Sequence, residues 1–150
     1  MDRIVVIVGP TASGKTGLSV ALAKCLSGEV ISADSMQLYR TMDIGTAKVT
    51  AAEMDGVPHH MIDVADPEEA FSAARYVELA DPILQDILAR GKTAIIAGGT
   101  GLYVDALIAG RTFAPYPATG KRQALEREAD ARGMEYMLQR LRQVDPDSAQ

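Results

Sequence analysis

The stretch GPTASGKT, at residues 9–16, lies between an apolar run at Ile4–Val8 and an apolar-rich segment at Leu18–Ala23. The apolar run has the composition of a buried strand, and the segment after the stretch has that of a helix. A glycine-rich loop between a strand and a helix directs backbone N–H groups and the positive end of the helix dipole at one point. The sequence therefore predicts a phosphate-binding loop.

The loop has the pattern G-x-x-x-x-G-K-[ST]. Gly9 and Gly14 allow the chain to turn without a Cβ atom, so that successive N–H groups converge on an anion. Lys15 adds a positive charge, and the hydroxyl of Thr16 stands where a phosphate-bound magnesium ion takes an oxygen ligand. We expect Mg²⁺ as the cofactor, and the expected diphosphate-binding residues are Gly9, Pro10, Thr11, Ala12, Ser13, Gly14, Lys15 and Thr16.

Length and composition predict an ordinary globular protein. The chain has 150 residues, of which 47% are hydrophobic and 23% charged, so it can form a hydrophobic core. Its single cysteine, Cys25, is typical of a reducing cytosol, and we expect it in the core. The N-terminal apolar run is too short for a signal peptide, and no run approaches a membrane span. We expect a cytoplasmic monomer without a membrane partner.

Strand-like and helix-like segments alternate along the chain, which is typical of a parallel sheet covered by helices. A capping box predicts a helix starting after Thr50, and Ser72 caps a longer helix that kinks at Pro82 and ends at Gly91. The expected fold class is α/β, a P-loop-type three-layer α/β/α architecture with a parallel sheet. Strands are predicted near residues 3–8, 29–33, 59–64 and 92–97.

The pattern changes after Gly110, because the segment 112–120 contains two prolines and the residues beyond it have a helical pattern. In that helical part an apolar stripe at i, i+3, i+4 and i+7 predicts a packing face. Four strands are few for a sheet of this class, so the core is expected to be incomplete. The predicted domains are a partial P-loop core at 1–114 and the start of a helical arm at 115–150. The stripe consists of Met134, Met137, Leu138 and Leu141.

The net charge of −5 argues against a nucleic-acid partner, because phosphate contacts need Lys and Arg. The charge is unevenly distributed, however. From Thr119 onward six basic residues are matched by six acidic ones, so the whole net negative charge lies in residues 1–118. An acidic body with a neutral, arginine-bearing arm leaves a structured RNA open as a partner.

Ligands of open parallel sheets bind outside the carboxyl ends of the strands, so the residues directly after each strand carry most weight. Besides the loop, these are Asp34 to Gln37 after the second strand and Gly98 to Gly101 after the fourth. The fourth strand ends in two glycines where a nucleotide hydrolase would carry a magnesium-binding carboxylate. Glycines there favour close approach by a bulky substrate. Asp34 is then the one carboxylate expected near the diphosphate.

Six motifs, in this order and at these intervals, resemble the tRNA dimethylallyltransferase (IPP transferase) family, whose members prenylate an adenosine beside the tRNA anticodon. They are GPTASGKT, ISADSMQLYR, DIGTAK, VPHH, IDV and GGTGLYVDAL. The resemblance covers nearly the whole chain, including RGMEYMLQRLRQVDP of the arm, and about the first half of the family's usual length. It implies that the arm begins a tRNA-binding insertion domain.

The resemblance also implies roles for the loop and for Asp34. The loop would hold dimethylallyl diphosphate, with Thr11 and Lys15 on its phosphates and Thr16 serving the magnesium ion that neutralises the departing diphosphate. No nucleoside triphosphate would be consumed. Asp34 would be the general base, since the exocyclic amine of adenine must lose a proton as it attacks the allylic carbon. Thr100 completes the expected catalytic set.

The other implied partner is the anticodon stem-loop of a tRNA, whose adenine must leave its stack to reach the donor. The expected tRNA-binding residues are Asp34, Ser35, Met36, Gln37, Thr100 and Arg122. Gln37 is chemically suited to an adenine edge, and Arg122 matches an arginine with which the family contacts tRNA. The alternatives are a turn residue for Thr100 and a solvated charge for Arg122.

Two other functions stay open at this point. A small-molecule kinase of the shikimate kinase kind also has a P-loop, an aspartate after the second strand and glycines after a later strand, but it needs an arginine-rich lid over ATP. A truncated relative could bind diphosphates or RNA and catalyse nothing, because the family carries further donor-contacting and tRNA-contacting residues in the half that this chain does not cover.

Five further polar positions carry less weight. The pair His59 and His60 lacks a third ligand at metal spacing and is expected at a strand edge. Lys48 is a weak candidate for an RNA contact, and Asp63 and Asp66 are expected to be capping residues.

Overall fold

The computed structural model describes residues 3–110 and 120–149, which belong to two units, Met1–Phe113 and Ala114–Gln150. The predicted boundary after residue 114 and the proline-containing break lie outside the described residues, apart from Gly120. In chain order the elements are β1 (Ile4–Val8), α1 (Lys15–Leu26), β2 (Glu29–Ser32), α2 (Ala51–Met54), β3 (His59–His60), α3 (Ala73–Ala89), β4 (Ala94–Gly98), α4 (Gly101–Ile108) and α5 (Lys121–Val144).

The four strands form one parallel sheet in the order β1-β4-β2-β3. In the register of the inner strands, Ile96 of β4 is paired with Val6 of β1 on one side and with Ile31 of β2 on the other. β2 is buried along its length and β4 nearly so, as expected for apolar strands covered on both faces. The predicted parallel α/β fold is therefore confirmed.

Each face of the sheet packs against helices. Ile31 and Ile96 lie on one face, in a cluster with Tyr76 of α3 and with residues of α4. Val30 and Ile95, one position along, lie on the other face with α1. Because successive side chains of a strand point to opposite faces, these short apolar strands supply both layers of the core.

Local signals explain where the two capped helices begin. The hydroxyl of Thr50 accepts a hydrogen bond from the N–H of Glu53, whose carboxylate in turn accepts one from the N–H of Thr50, so the predicted capping box is present. Ser72 caps α3 by accepting from the N–H of Arg75 at 3.2 Å. α3 continues through Pro82, and the chain turns after it at Gly91, with φ 70°.

Three expectations about the first unit have different outcomes. β3 ends at His60, four residues early, because Met61 and Asp63 adopt positive φ angles of 61° and 55° that an extended strand does not allow. Cys25 is exposed, not in the core, since α1 turns other residues toward the sheet. The pair His59 and His60 does form an edge strand, as predicted.

In the second unit the helical prediction is right, but the predicted packing face is only partly covered. α5 is interrupted at Gly133, whose φ of 79° and ψ of 169° are not helical. Met134, directly after the interruption, is 79% exposed, and Leu141 is exposed as well. Met137 and Leu138 are half-buried, so within the described residues only the middle of the Met/Leu stripe is partly covered.

Candidate functional site

The phosphate-binding loop connects β1 to α1 and has the backbone that its sequence predicts. Gly14 caps α1 in the left-handed region, with φ 81°, and α1 begins at Lys15. Ala12 also has a positive φ, 63°, which is a strained conformation for a residue with a side chain. The loop thus brings the first turn of a twelve-residue helix to the carboxyl end of the sheet. The uncapped N–H groups of a helix N-terminus favour an anion.

Lys15 lies across its own loop. Its ammonium group donates hydrogen bonds to the carbonyl of Gly9 at 2.9 Å and to that of Pro10 at 2.6 Å. Thr16, the second residue of α1, lines the cleft beside it. A cation and a hydroxyl are therefore available at the mouth of the loop.

Asp34 comes after β2, and a network of local bonds fixes the turn around it. Its carboxylate accepts a hydrogen bond from the N–H of Met36 at 2.9 Å. The hydroxyl of Thr100, at the start of α4, accepts one from the N–H of Ser35 at 3.0 Å, and the N–H of Thr100 donates to the carbonyl of Ala33. Thr100 therefore joins the segment after β4 to the segment after β2.

Gly98 has a packing role that differs from the one the sequence predicts. A Cβ atom at this position would lie 2.1 Å from the carbonyl oxygen of Ala33, a distance at which the two strands could not stay paired. The glycine is thus required by the approach of β2 to β4, before any substrate is considered. Gly98 still lines the cleft, so the carboxyl end of β4 presents little bulk there.

Gln37 has a side chain of fixed orientation. Its oxygen Oε1 accepts a hydrogen bond from the hydroxyl of Ser32 at 3.3 Å, and its nitrogen Nε2 donates one to the carbonyl of Ala47 at 2.9 Å. An amide oxygen has two lone pairs and an amide nitrogen two hydrogens. One acceptor site and one donor hydrogen of Gln37 thus remain for a ligand.

The loop, Asp34, Gln37 and Gly98 line one cleft of about 440 Å³, a volume within the usual range for small-molecule sites, whereas Ser35, Met36 and Thr100 are not among its lining residues. The cleft joins most of the predicted loop, Asp34 and Gln37 in a single space. It also contains residues that the sequence did not indicate, from β2, from the 47–53 segment and from β3. The lining residues are Thr11, Ala12, Ser13, Gly14, Lys15, Thr16, Gly17, Ser19, Val30, Ser32, Asp34, Gln37, Ala47, Lys48, Val49, Glu53, His59, Ala97 and Gly98.

Lys48 is a buried cation whose ion pairs the sequence did not predict. Its side chain is only 7% exposed, and its ammonium group donates to Asp43 at 2.7 Å, to Asp63 at 2.6 Å and to the carbonyl of Tyr39 at 2.7 Å. The expectation that Lys48 faces RNA is therefore wrong, because every donor of the ammonium group is used within the protein. Asp63 is an ion-pair partner and not a helix cap.

Two other lining residues were assigned no part in the site. His59 lines the cleft, and its Nδ1 lies 2.9 Å from the carbonyl of Val57, while its buried Nε2 has no hydrogen-bond partner among the described residues. Glu53 lines the cleft as well as closing the capping box. No spacing rule predicts either contribution, since both depend on how α2 and β3 pack.

Two further basic residues, Arg122 and Arg40, are held in ion pairs. Arg122 lies on α5 in the second unit, where its guanidinium group pairs with Glu126, one turn along the helix, at 2.9 Å. Its side chain is highly exposed. Arg40 pairs with Asp66, another residue that was expected to be a cap. The RNA contact expected of Arg122 stays a prediction.

Residues 3–110 and 120–149 contain neither a metal-binding cluster nor a membrane-spanning helix. In these ranges, no group of three His, Cys, Asp or Glu side chains lies close enough together to hold a metal ion. None of the helices described combines the length and the apolar character needed to cross a membrane.

Comparison with known proteins gives a consistent result. The family profile described as IPP transferase matches residues 37–150. The tRNA dimethylallyltransferase of Bacillus cytotoxicus is 52% identical over 149 residues, which cover 99% of this chain and 47% of that protein. The chain thus spans about half the length of the curated relatives it matches.

Solved structures show the same relation. The full-length tRNA isopentenylpyrophosphate transferase of Bacillus halodurans superposes with a TM-score of 0.74 at 50% identity, covering 99% of this chain and 50% of that one. A eukaryotic dimethylallyltransferase, solved acting on tRNA, gives a TM-score of 0.83 at 32% identity and covers 99% and 37%. The described fold is therefore that of these transferases.

Proposed function

This chain belongs to the IPP transferase family, and we propose that it supplies the donor-binding part of an enzyme that transfers a dimethylallyl group from dimethylallyl diphosphate to tRNA. The acceptor is the exocyclic N6 amine of an adenosine beside the anticodon. One observation supports this most strongly: a single cleft contains a phosphate-binding loop, the carboxylate of Asp34 and the half-satisfied amide of Gln37. These are the groups that a diphosphate leaving group, a proton and a purine edge require.

On the donor side, the loop at 9–16 and the N-terminus of α1 bind the diphosphate, and Thr11 and Lys15 contact its oxygens. Lys15 donates to two carbonyls of the loop, so its ammonium group is held at the loop to which the diphosphate binds. Thr16 fits a magnesium ion because a hydroxyl is a hard oxygen ligand at the edge of the loop. That ion, when bound, would supply charge neutralisation for the leaving diphosphate.

On the acceptor side, a carbon–nitrogen bond forms between adenine N6 and the allylic carbon as the bond from that carbon to the diphosphate oxygen breaks. The N6 proton passes to the carboxylate of Asp34, and the released diphosphate stays bound to the loop. Gln37 offers one donor and one acceptor to the adenine edge, the pairing for which a glutamine amide is suited. Ser35, Met36, Thr100 and Arg122 are the further tRNA-binding residues of the proposal.

The two alternatives are less well supported. A kinase of the shikimate kinase kind needs an arginine-rich lid, whereas Arg40, in the first unit, is bound in an ion pair with Asp66. A non-catalytic diphosphate-binding or RNA-binding protein would keep the loop but would not need Asp34. The monomeric state and the cytoplasmic location remain predictions from the sequence.

The proposal is tested by incorporation of labelled dimethylallyl groups into a tRNA that carries adenosine beside its anticodon. We compare residues 1–150 with a chain extended by the second half of the Bacillus halodurans relative, since the relatives are about twice as long. The extended protein should transfer the label. The 150-residue chain should transfer little, because the net charge of −5 opposes RNA binding and loose placement of the base alone costs about 10²-fold in rate.

Three results would count against parts of the proposal. Failure of the extended protein to label tRNA, while its loop binds dimethylallyl diphosphate, would favour the non-catalytic alternative. Phosphorylation of a small molecule from ATP by either chain would favour the kinase. Equal transfer by both chains would leave the reaction intact but contradict the need for the second half.

A further inference from the structure

Lys48 joins two segments of the chain, the loop at residues 39–48 and the segment after β3. Its ammonium group reaches Tyr39 and Asp43 in its own loop and Asp63 after β3, all within 2.7 Å. Lysine carries three hydrogens on its ammonium group, so this set of partners uses all of them. The loop that lines the cleft at residues 47–49 is thus bound to the segment after β3 at a single point.

The chain around this point is strained. Seven residues other than glycine have a positive φ in the described ranges, and four of them lie in the segments that Lys48 joins. Such conformations are disfavoured for residues with a side chain and persist only where surrounding contacts hold them. A strained wall bound by one buried cation is therefore a structure whose shape depends on that cation. The four residues are Thr41, Ala47, Met61 and Asp63.

One of the strained residues connects Lys48 to the acceptor side of the cleft. Ala47, with φ 50°, directly precedes Lys48, and its carbonyl accepts the hydrogen bond from Nε2 of Gln37. The N–H of Asp63 also donates to the backbone carbonyl of Gln37 at 3.2 Å. Both residues that contact Gln37 in this way are therefore held by Lys48, one through the chain and one through an ion pair.

The side chain of Lys48 stays protonated in this setting. Burial disfavours the ammonium form, but the hydrogen bonds and charges of Asp43 and Asp63 outweigh it and raise the pKa of Lys48 above its ordinary value. Those two carboxylates are themselves largely open to water. The interaction is thus a buried cation with two exposed anions, and it persists across the physiological pH range.

We propose that Lys48 is a positioning residue of the transfer reaction: it fixes Ala47 and Asp63, and through them it orients the Gln37 amide that receives the acceptor adenine. This inference rests on the proposed function. Lys48 lines the cleft, but all three hydrogens of its ammonium group are used within the protein, so its effect passes through Ala47 and Asp63. It acts on the acceptor side only, because the phosphate-binding loop is built from other residues.

The kinetic test uses Lys48→Met in the extended protein, with Lys24→Met as the matched control. Methionine keeps most of the apolar stem and removes the ammonium group. Lys24 is a lysine of the same unit, but it pairs with Asp55 at the surface. We expect Lys48→Met to raise KM for tRNA about tenfold and to lower kcat by up to about 10²-fold, with the dissociation constant for dimethylallyl diphosphate changed less than about twofold. Unchanged kinetics, or an equal loss of donor binding, would overturn the inference.

A second variant separates positioning from charge balance. Lys48→Met leaves Asp43 and Asp63 without their cation, so the combination with Asp43→Asn and Asp63→Asn removes the repulsion between them. If Lys48 positions Gln37, this triple variant regains the melting temperature of the wild type but not its kcat/KM. Recovery of transfer as well as stability would show that Lys48 only neutralises two carboxylates, and it would overturn the inference.

A direct measurement does not depend on the reaction. In the 150-residue chain labelled with [¹⁵N]glutamine, the Nε2 hydrogen of Gln37 that is bonded to Ala47 should exchange slowly with water, and in Lys48→Met much faster. The Gln37→Leu variant assigns the signal, and Gln85, which donates to Asp81 on α3, serves as the internal control. Equal exchange in the two proteins would overturn the inference. If the wild-type extended protein transferred nothing, the proposed function would fail while this measurement still decided the role of Lys48.

Discussion

The two ends of the parallel sheet carry charges in opposite states of pairing. At the amino end of β2 the carboxylate of Glu29 is only 4% exposed and accepts hydrogen bonds from Arg90, from Lys92 at 2.7 Å and from His60 at 2.8 Å. At the carboxyl end, Asp34 accepts from a backbone N–H and Lys15 donates to loop carbonyls. Within the part of the chain that the structure describes, neither of these two has a partner of opposite charge.

This difference indicates that the charged groups at the amino end of the sheet stabilise the fold, whereas those at the carboxyl end serve function. A buried carboxylate that is surrounded by cations holds helix α3 and strands β2 and β3 together at the amino end. Charges without an opposite partner contribute little to folding but are free to bind an anion or accept a proton. Lys48 combines the two properties, since it is fully paired and yet lies at the functional end. Substitutions at the two ends should therefore change different quantities.

The largest expected effect is that of Asp34→Asn on the rate of transfer by the extended protein. We expect a decrease of about 10²–10⁴-fold, because a positioned general base contributes that much and an amide cannot take the proton. The melting temperature should stay near that of the wild type, since the amide oxygen still accepts the bond from Met36. The measurement is single-turnover transfer of labelled dimethylallyl groups.

Donor binding by the same variant serves as the control. Calorimetry should give a dissociation constant for dimethylallyl diphosphate close to the wild-type value. A loss of binding as large as the loss of rate would assign Asp34 to the magnesium ion or to the loop, and the contrast between the two ends would need another explanation.

The opposite result is expected at the amino end. Glu29→Gln should lower the free energy of unfolding by about 3 kcal/mol, because it removes charge-assisted hydrogen bonds from a buried group whose partners can partly return to water. The matched control is Glu78→Gln, which removes an exposed carboxylate paired only along its own helix with Arg75 and should cost less than about 0.5 kcal/mol. Urea unfolding measures both.

The same carboxylate predicts a pH dependence of stability. The guanidinium group of Arg90, with Lys92 and His60, holds the pKa of Glu29 far below its ordinary value. A carboxyl group whose pKa is lower in the folded than in the unfolded chain stabilises the fold at pH values above its unfolded pKa of about 4.3. That contribution is lost as the pH falls from there toward the folded pKa. The difference in free energy of unfolding between the wild type and Glu29→Gln should therefore shrink as the pH falls below about 4. A constant difference over that range would contradict the assignment.

Lys15→Ala should show an intermediate effect, on binding and not on stability. We expect the affinity for dimethylallyl diphosphate to fall by roughly 1.5–3 kcal/mol, the usual range for a hydrogen bond to a charged group. The unfolding free energy should change little, because Lys15 bonds only to carbonyls of its own loop. Calorimetry and urea unfolding on the same preparations would reveal a structural role if stability fell instead.

The smallest expected effect concerns the capping box at the edge of the cleft. Thr50→Ala should cost about 1 kcal/mol of stability, the usual value for losing an N-cap, and Thr50→Ser should cost much less. Because Glu53 of the same box lines the cleft, we also expect a small change in ligand affinity. Thermal unfolding of the two variants tests the first expectation. Equal melting temperatures for alanine and serine would show that the cap is dispensable.

Local signals predicted most of the fold and the loop correctly. The glycines of residues 9–16, the apolar runs of β1, β2 and β4, and the caps at Thr50 and Ser72 act over a few residues, so their consequences can be derived without the rest of the chain. Asp34 was found for the same reason, because it comes close after an apolar strand. The convergence of the carboxyl ends then results from the parallel topology.

The errors concern contacts between distant segments. The partners of Lys48 lie 9, 5 and 15 residues away, and nothing in the sequence says that β3 stops early enough for Asp63 to turn back toward it. The requirement for Gly98 depends on Ala33, which belongs to another segment of the chain. Cys25 shows the same limit, since the apolar character of a helix does not determine which of its faces is covered.

The claim that the carboxyl end of this sheet is a binding site for a prenyl diphosphate is tested most directly by calorimetric titration of the 150-residue chain. The ligands are dimethylallyl diphosphate and ATP, each with magnesium, against the wild type and Lys15→Ala. We predict saturable binding of dimethylallyl diphosphate that weakens in Lys15→Ala, with ATP at best a weak competitor. Tight binding of ATP together with no binding of dimethylallyl diphosphate would contradict the claim.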